Sequence, residues 1–373
     1  MGLATAHALA ASYDVVVLEA ENEVGRHQSS HNSGVLHAGV YYAPGSLKAE
    51  LCREGKAAME AFCDEHGIPV ERNGKLVVAV DDGELPRLDA LAERAAANGV
   101  PGLRMLGRGE LRDVEPDVAG VRALHSPTTA VVDFGAVCRV LARLLPDVRT
   151  GQRVSSIAEG ADGVHVTTAS GEVHARGAVV CAGLDAVSVA RRAGVATRLR
   201  MVPFRGSWRV LTADAAALVR GNVYPVPDPA LPFLGVHLTR RVDGEVWAGP
   251  NAVVSSRRPD LLAAAATGPG LWRLAWRQRR AAVREVRDDL VDAAYLRQLR
   301  RYVPALERGH LAPGPRPFGI RAQAVGPDGG LVDDFVVEST ARVVHVLNAP
   351  SPAATSSLAI GRRVAAEAVT RMA

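Results

Sequence analysis

Met1-Gly2-Leu3-Ala4-Thr5-Ala6-His7-Ala8-Leu9-Ala10, followed by Asp14-Val15-Val16-Val17-Leu18-Glu19, is the stretch on which the fold turns. The first part reads as the last glycine and opening helix of the G-x-G-x-x-G fingerprint of dinucleotide-binding folds, and the second as the next strand, ending in an acid. Glu19 is then placed to accept hydrogen bonds from ribose hydroxyls. The helix begun at Gly2 turns its positive N-terminal end toward a pyrophosphate. No strand and no pair of glycines stand ahead of Gly2, so the expectation is a nucleotide-binding α/β fold whose first strand is missing or lies upstream.

Six residues after Glu19 begins a glycine- and serine-rich run over residues 25–42, which must leave the same carboxyl edge of the sheet. Hydroxyls and amides there, from Ser29, Ser30, Asn32 and Ser33, suit a pyrophosphate and the edge of a flavin ring. Further along, 75–80 is strand-like and 82–98 carries a helical period that Gly99 stops. A second helix is expected over 134–145. Three strand-like runs follow at 153–157, 163–168 and 178–181, the last leading into Ala182-Gly183, where a small residue and a glycine permit close backbone approach to a ligand. Residues 202–250 are strand-rich and punctuated by proline, whereas 270–306 are helical and strongly basic. The chain ends with short strands at 333–337 and 343–347, a loop at 348–357 and a closing helix.

This order predicts a discontinuous nucleotide-binding domain (1–70, 134–197 and 315–373). A mostly antiparallel α+β substrate domain (71–133 and 198–314) interrupts it twice. A nicotinamide enzyme more often keeps its dinucleotide domain in one piece, so the dispersed arrangement favours flavin. Length agrees with two intimately connected domains, since 373 residues are many for one core. Hydrophobic residues at 48% and charged ones at 23% are ordinary for a globular protein and exclude a disordered one.

No run approaches the roughly 20 apolar residues that span a bilayer, and no secretory leader is visible, so a cytoplasmic location is expected. Cys52, Cys63, Cys138 and Cys181 lack C-x-x-C spacing, which argues against zinc and against a disulfide framework; no metal is expected. A net charge of +4, without aromatic platforms or a binding motif, carries no nucleic-acid signature.

The run from Gly2 to Glu19, the segment 27–42 with Asn32-Ser33-Gly34 and His37-Ala38-Gly39, and Pro44-Gly45-Ser46-Leu47-Lys48 resemble the L-2-hydroxyglutarate dehydrogenases, FAD enzymes of the D-amino-acid oxidase-like superfamily. The likeness continues through Leu51-Cys52-Arg53-Glu54-Gly55, Pro203-Phe204-Arg205-Gly206, Gly235-Val236-His237-Leu238-Thr239-Arg240, Gly249-Pro250-Asn251, Gly319-Ile320-Arg321-Ala322-Gln323 and 348–355, and so covers nearly the whole chain. The departure is at the N-terminus, where related enzymes have a strand and two more glycines. The resemblance implies FAD as cofactor and a small dicarboxylate 2-hydroxy acid as substrate, oxidised by hydride transfer to flavin N5.

It also gives site residues their expected roles. His37 is expected on the flavin side and His237 as substrate-binding residue or base, with the two roles exchangeable, because imidazole titrates near neutrality. Arg205 and Arg321 sit in apolar or glycine-flanked runs and are expected to clamp carboxylates; Tyr42 and Lys48 are weaker pocket candidates. His27, His31, His66 and His125 are read as structural. Cofactor contacts are expected from Gly2, Glu19, Ser29, Ser30, Asn32, Ser33, Val154, Ala182 and Gly183. Ser351, Ala353, Ala354 and Thr355 are expected to face the electron-rich edge of the flavin.

Two other functions stay open: a flavin oxidase or dehydrogenase of another 2-hydroxy acid or an amino acid, and a flavin-free remnant. The electron acceptor, whether oxygen, a quinone or a carrier flavoprotein, is not determined. Trp272 and Trp276 share a helical face amid arginines, so the basic segment 271–300 is either a solvated surface or a peripheral contact with the inner face of the cell membrane.

Overall fold

Helix Gly2–Leu9 is built from small residues and buries Ala4, Thr5, Ala6 and Leu9. That smallness lets the C-terminal helix Ser357–Met372 lie directly against it. A Cβ on Gly361 would come within 2.7 Å of the Ala4 carbonyl carbon, so only glycine permits this approach. Helix Leu47–Glu65 meets the segment preceding the same C-terminal helix equally closely, and a Cβ on Gly55 would sit 2.4 Å from Ser356 Cα. The computed structural model describes residues 1–229 and 234–372.

The nucleotide-side strands form two half-sheets. Val16–Leu18 runs parallel to Asp147–Arg149, while Ala178–Val180 runs parallel to Val343–Asn348, which pairs antiparallel with Val336–Ser339. Among the described residues, no strand pairs with the second edge of Val16–Leu18 or of Ala178–Val180, and residues of both strands border the same cavity. The expected sheet without its first strand is thus seen as two separate pieces.

A larger sheet of seven strands carries the other half of the molecule, in the order Arg209–Val210, Val246–Gly249, His237–Arg240, Asn222–Pro225, Lys75–Ala79, Arg122–Ser126, Arg104–Gly107. It is antiparallel except at its middle, where Asn222–Pro225 and Lys75–Ala79 run parallel. Its core joins segments distant in sequence: Leu76 and Val78 pack with Val223, Leu238, Tyr295 and Leu299. Burying each large aliphatic side chain contributes on the order of 1.5–3 kcal/mol. A long ribbon, Arg200–Ser207 against Phe318–Val325, keeps antiparallel register from Arg200 opposite Val325 to Ser207 opposite Phe318.

Three boundaries differ from the sequence expectation. The run 82–98 is a 3-10 turn, Asp82–Glu84, leading into helix Leu85–Ala97, because Pro86 has no amide to continue an upstream helix. The strand expected at 333–337 forms instead at Val336–Ser339. The Asn348 side-chain amide donates to the carbonyls of Val332 and Asp334, at 2.9 and 2.8 Å, and so occupies the preceding backbone. The basic segment is three helices, Pro269–Arg277, Arg279–Leu290 and Asp292–Leu299.

Candidate active site

A cavity of about 1570 Å³ runs from the half-sheets to the seven-stranded sheet. At its nucleotide end, helix Gly2–Leu9 presents an N-terminus with no side-chain cap, leaving its amides available. Glu19 lies just past strand Val16–Leu18; its Oε1 accepts the Glu21 N–H at 3.0 Å. Gly2, Glu19, Ser29, Asn32, Ser33, Val154, Ala182 and Gly183 all line the cavity.

The loop over 25–34 holds its own shape. Asn32 Nδ2 donates to the carbonyls of Gln28 and Ser29, both at 2.8 Å, and Asn32 Oδ1 accepts the Gly34 N–H at 2.8 Å. Gln28 ties this loop to the ribbon, its Oε1 accepting the Ala322 N–H at 3.1 Å. Ser30 is not brought to the cavity wall: its hydroxyl donates to the Gly25 carbonyl and contacts His31 Nδ1. His27 and His31 do border the cavity, which their sequence context did not signal.

The C-terminal loop closes the other wall with Ser351, Ala353, Ala354 and Thr355. Thr355 Oγ1 accepts the His37 N–H at 3.1 Å and bonds to the Val35 carbonyl at 3.4 Å, stapling two loops more than 300 residues apart in sequence. Their chemistry fits a flavin dinucleotide: a carboxylate for ribose, uncapped helix amides for pyrophosphate, and a loop before a long helix for the electron-rich ring edge.

At the far end, His37, Tyr41, Tyr42, Lys48, Tyr224, His237 and Arg321 converge. His237 Nδ1 lies 2.9 Å from the Gly235 carbonyl, which can only accept, so Nδ1 carries the proton and Nε2 keeps its lone pair. Its ring stacks on Tyr224 with centroids 3.8 Å apart. Burial, with Lys75 and Arg321 adding like charge, pulls His237 down to about 3, against the opposing Gly235 bond. Burial also holds His37 well below its ordinary range, with Lys75 and His237 contributing. Both imidazoles are therefore neutral proton acceptors at pH 7.

The tyrosines behave oppositely. Burial pushes Tyr224 up to about 12 despite Thr239 and Ser33 beside it, and raises Tyr41 and Tyr42 well above the phenolic range, so all three remain donors. Lys48 Nζ sits 2.6 Å from Asp333 Oδ1, and 5.8 Å from the Tyr42 ring centroid.

Arg205 requires a correction. Register pairs Arg321 with Phe204 and Arg205 with Ile320, so the two arginines alternate across the faces of the ribbon. Arg321 borders the cavity, whereas Arg205 does not and instead lies over the Phe318 ring at 5.0 Å. The expected convergence of two guanidinium groups with His37 reduces to one.

Residues overlooked in the sequence are Tyr41, Tyr224 and Lys75. The signal for Lys75 was a charge opening an otherwise apolar strand. A second unsignalled group, Asp162, His165 and His174, brings its ligand-type atoms within 4.8 Å of one another on the surface, where they pair as acid and imidazole.

A fold of this kind, with a dinucleotide cavity opening onto neutral histidines and a buried guanidinium, defines a flavin-dependent oxidoreductase. A profile of the FAD dependent oxidoreductase family matches residues 1–367. Among relatives, the "L-2-hydroxyglutarate dehydrogenase, mitochondrial" of Nematostella vectensis is 41% identical, covering 100% of this chain and 89% of that protein. The L-2-hydroxyglutarate dehydrogenase of Escherichia coli K12 is 39% identical over 100% of this chain and 92% of its own length. The mitochondrial human protein of the same name is 38% identical, with 100% and 87% covered.

In fold the chain is similar to L-alpha-glycerophosphate oxidase from Mycoplasma pneumoniae with FAD bound (TM-score 0.75, 20% identity, 99% of this chain and 91% of that one). It is also similar to glycine oxidase from Geobacillus kaustophilus (TM-score 0.73, 19% identity, 99% and 92%). The chain belongs to the FAD dependent oxidoreductase family and, within it, to the L-2-hydroxyglutarate dehydrogenases. The expected α/β flavoprotein architecture holds.

Proposed function

We propose that this protein oxidises L-2-hydroxyglutarate to 2-oxoglutarate with FAD as the redox cofactor. The observation that carries the reading is His237, whose Nδ1 is committed to the Gly235 carbonyl and whose neutral Nε2 is left to accept the proton of the substrate hydroxyl. When bound, FAD supplies the acceptor for the hydride leaving the carbinol carbon. Arg321 holds a substrate carboxylate, since a guanidinium remains charged even when buried. His37 stands as the second proton acceptor, and the tyrosine hydroxyls, Tyr42 among them, donate to the substrate's oxygens.

The division into a cofactor domain (1–70, 134–197, 315–373) and a substrate domain (71–133, 198–314) belongs to the same proposal. The core shared by Leu76, Val78, Val223 and Leu238 supports joining the two substrate pieces.

Anaerobic reduction of the bound flavin by a panel of chiral hydroxy acids and amino acids tests the substrate. L-2-hydroxyglutarate should bleach the flavin fastest; a faster D-enantiomer, monocarboxylate or amino acid would overturn the assignment. Reoxidation with oxygen, quinone or a carrier flavoprotein then identifies the acceptor.

Peripheral membrane contact, from a cytoplasmic location, is proposed for helix Pro269–Arg277. Trp272 and Trp276 are 64% and 69% exposed, and Arg279 lies 4.3 Å from the Trp276 ring centroid. No described helix is long and apolar enough to cross a membrane. The protein should float with anionic vesicles, and a Trp272→Ser, Trp276→Ser variant should not; equal flotation of the two removes the proposal.

A further inference from the structure

Lys75 opens the strand Lys75–Ala79 in the middle of the seven-stranded sheet and is 2% exposed. Its Nζ lies 4.1 Å from the centroid of the Tyr224 ring and 5.1 Å from that of Tyr41. His237 stacks on the same Tyr224 ring, 3.8 Å between centroids and 19° between planes. Sheet order explains the arrangement: strand Asn222–Pro225, which carries Tyr224, lies between His237–Arg240 and Lys75–Ala79. The ammonium and the imidazole thus reach one phenol from the two neighbouring strands.

Withdrawing an ammonium from water is costly unless an acid or other partner compensates. The groups that act on Lys75 and its two histidines are Tyr41 and His37 from the loop before helix Leu47–Glu65, Cys52 from that helix, Tyr224 and His237 from the sheet, and Arg321 from the ribbon. None of these is a carboxylate, and two aromatic faces offset only part of the desolvation. An ammonium kept under such conditions acts on whatever lies beside it.

We propose that Lys75 is the positioning residue of this site: through the Tyr224–His237 stack it biases the His237 imidazole further toward the proton-accepting form than its burial alone does. The inference rests on the reading of the site as one that takes up an alcohol proton. Burial brings Lys75 itself down to about 7, so it carries its charge below neutrality, the range in which an ordinary histidine would protonate. For both histidines burial is the larger cause, and the charge of Lys75 works in the same direction.

The test reads protonation directly, without turnover. Imidazole nitrogens of the FAD-loaded protein are followed by NMR across pH in wild type, Lys75→Met and Lys75→Arg. Lys75→Met removes the neighbouring charge at similar length, and the midpoint of His237 should rise by about one pH unit. Lys75→Arg keeps the charge and should restore the wild-type midpoint. An unmoved midpoint in a folded Lys75→Met protein, or a shift that Lys75→Arg does not restore, would overturn the proposal.

Should Lys75→Met fail to fold, the wild type decides. A lysine ε-methylene signal displaced by the Tyr41 and Tyr224 rings should titrate near pH 7, and imidazole shifts should follow it. Independent titrations would overturn the proposal. If the histidine shifts appear but L-2-hydroxyglutarate fails to reduce the flavin, the substrate reading falls and the role of Lys75 stands.

Discussion

At the scale of single residues, burial beside like charge holds His37 and His237 below their ordinary range, and the proposed carboxylate contact of Arg321 is open to direct test. Arg321→Ala should lower kcat/KM for L-2-hydroxyglutarate by about 1–3 kcal/mol, roughly 5- to 150-fold, the loss of a hydrogen bond to a charged group. Arg205→Ala, on the opposite face of the ribbon, should leave kcat/KM within about twofold, and steady-state kinetics of the pair checks both. Folding stability should carry the mark of the buried bases. His237 is depressed to about 3, so between there and its ordinary 6.5 the unfolded chain binds more protons, and stability falls as pH drops through that window. Lys75, brought down to about 7, makes stability rise with pH from there toward 10.5, by up to about 1.4 kcal/mol per pH unit. Urea unfolding of wild type between pH 7.5 and 9.5 should show that gain, and Lys75→Met should lack it. That His37, His237 and Arg321 border the cavity was expected from the family resemblance and from residue types that suit the proposed chemistry. Tyr224 was not, because a tyrosine in a strand looks like any core aromatic until the stacking partner on the next strand is known.

Among elements, the helices that frame the cofactor cavity meet through glycine. Gly55→Val would drive side-chain atoms into the Ser356 backbone, only 2.4 Å from an added Cβ, and should destabilise the protein by about 1–3 kcal/mol. FAD retention on gel filtration should fall with it, since Thr355, adjacent to Ser356, staples the two loops of the cavity. Most elements were readable from their period: helix Phe134–Arg143, strand Val343–Asn348 and the strands Val154–Glu159, Val164–Thr168 and Ala178–Val180 lie close to where the sequence placed them, although a further strand, Gly171–Ala175, was not foreseen. The shift of the strand expected at 333–337 to Val336–Ser339 was not readable, because the Asn348 side chain takes the Val332 and Asp334 carbonyls just ahead of it.

For the whole molecule, cofactor binding and stability are one equilibrium. FAD at 100 times its dissociation constant should stabilise the fold by about 2.7 kcal/mol, so Tm should climb with FAD concentration; a Tm indifferent to FAD would contradict a cavity built for it. The nucleotide end of that cavity was legible beforehand, because helix N-terminus, strand-end acid and glycine-rich loop are consecutive in the chain and local geometry brings them to one edge. Local pattern by itself therefore determined the α/β class and the nucleotide end of the cavity, while the expected histidine and arginine roles came from the family resemblance. Only the tertiary structure decided that Arg205 and Arg321 part company and that Lys75, Tyr224 and His237 form one stack. Both outcomes depend on register and strand order between segments distant in sequence, and a one-residue difference in register moves a side chain to the other face.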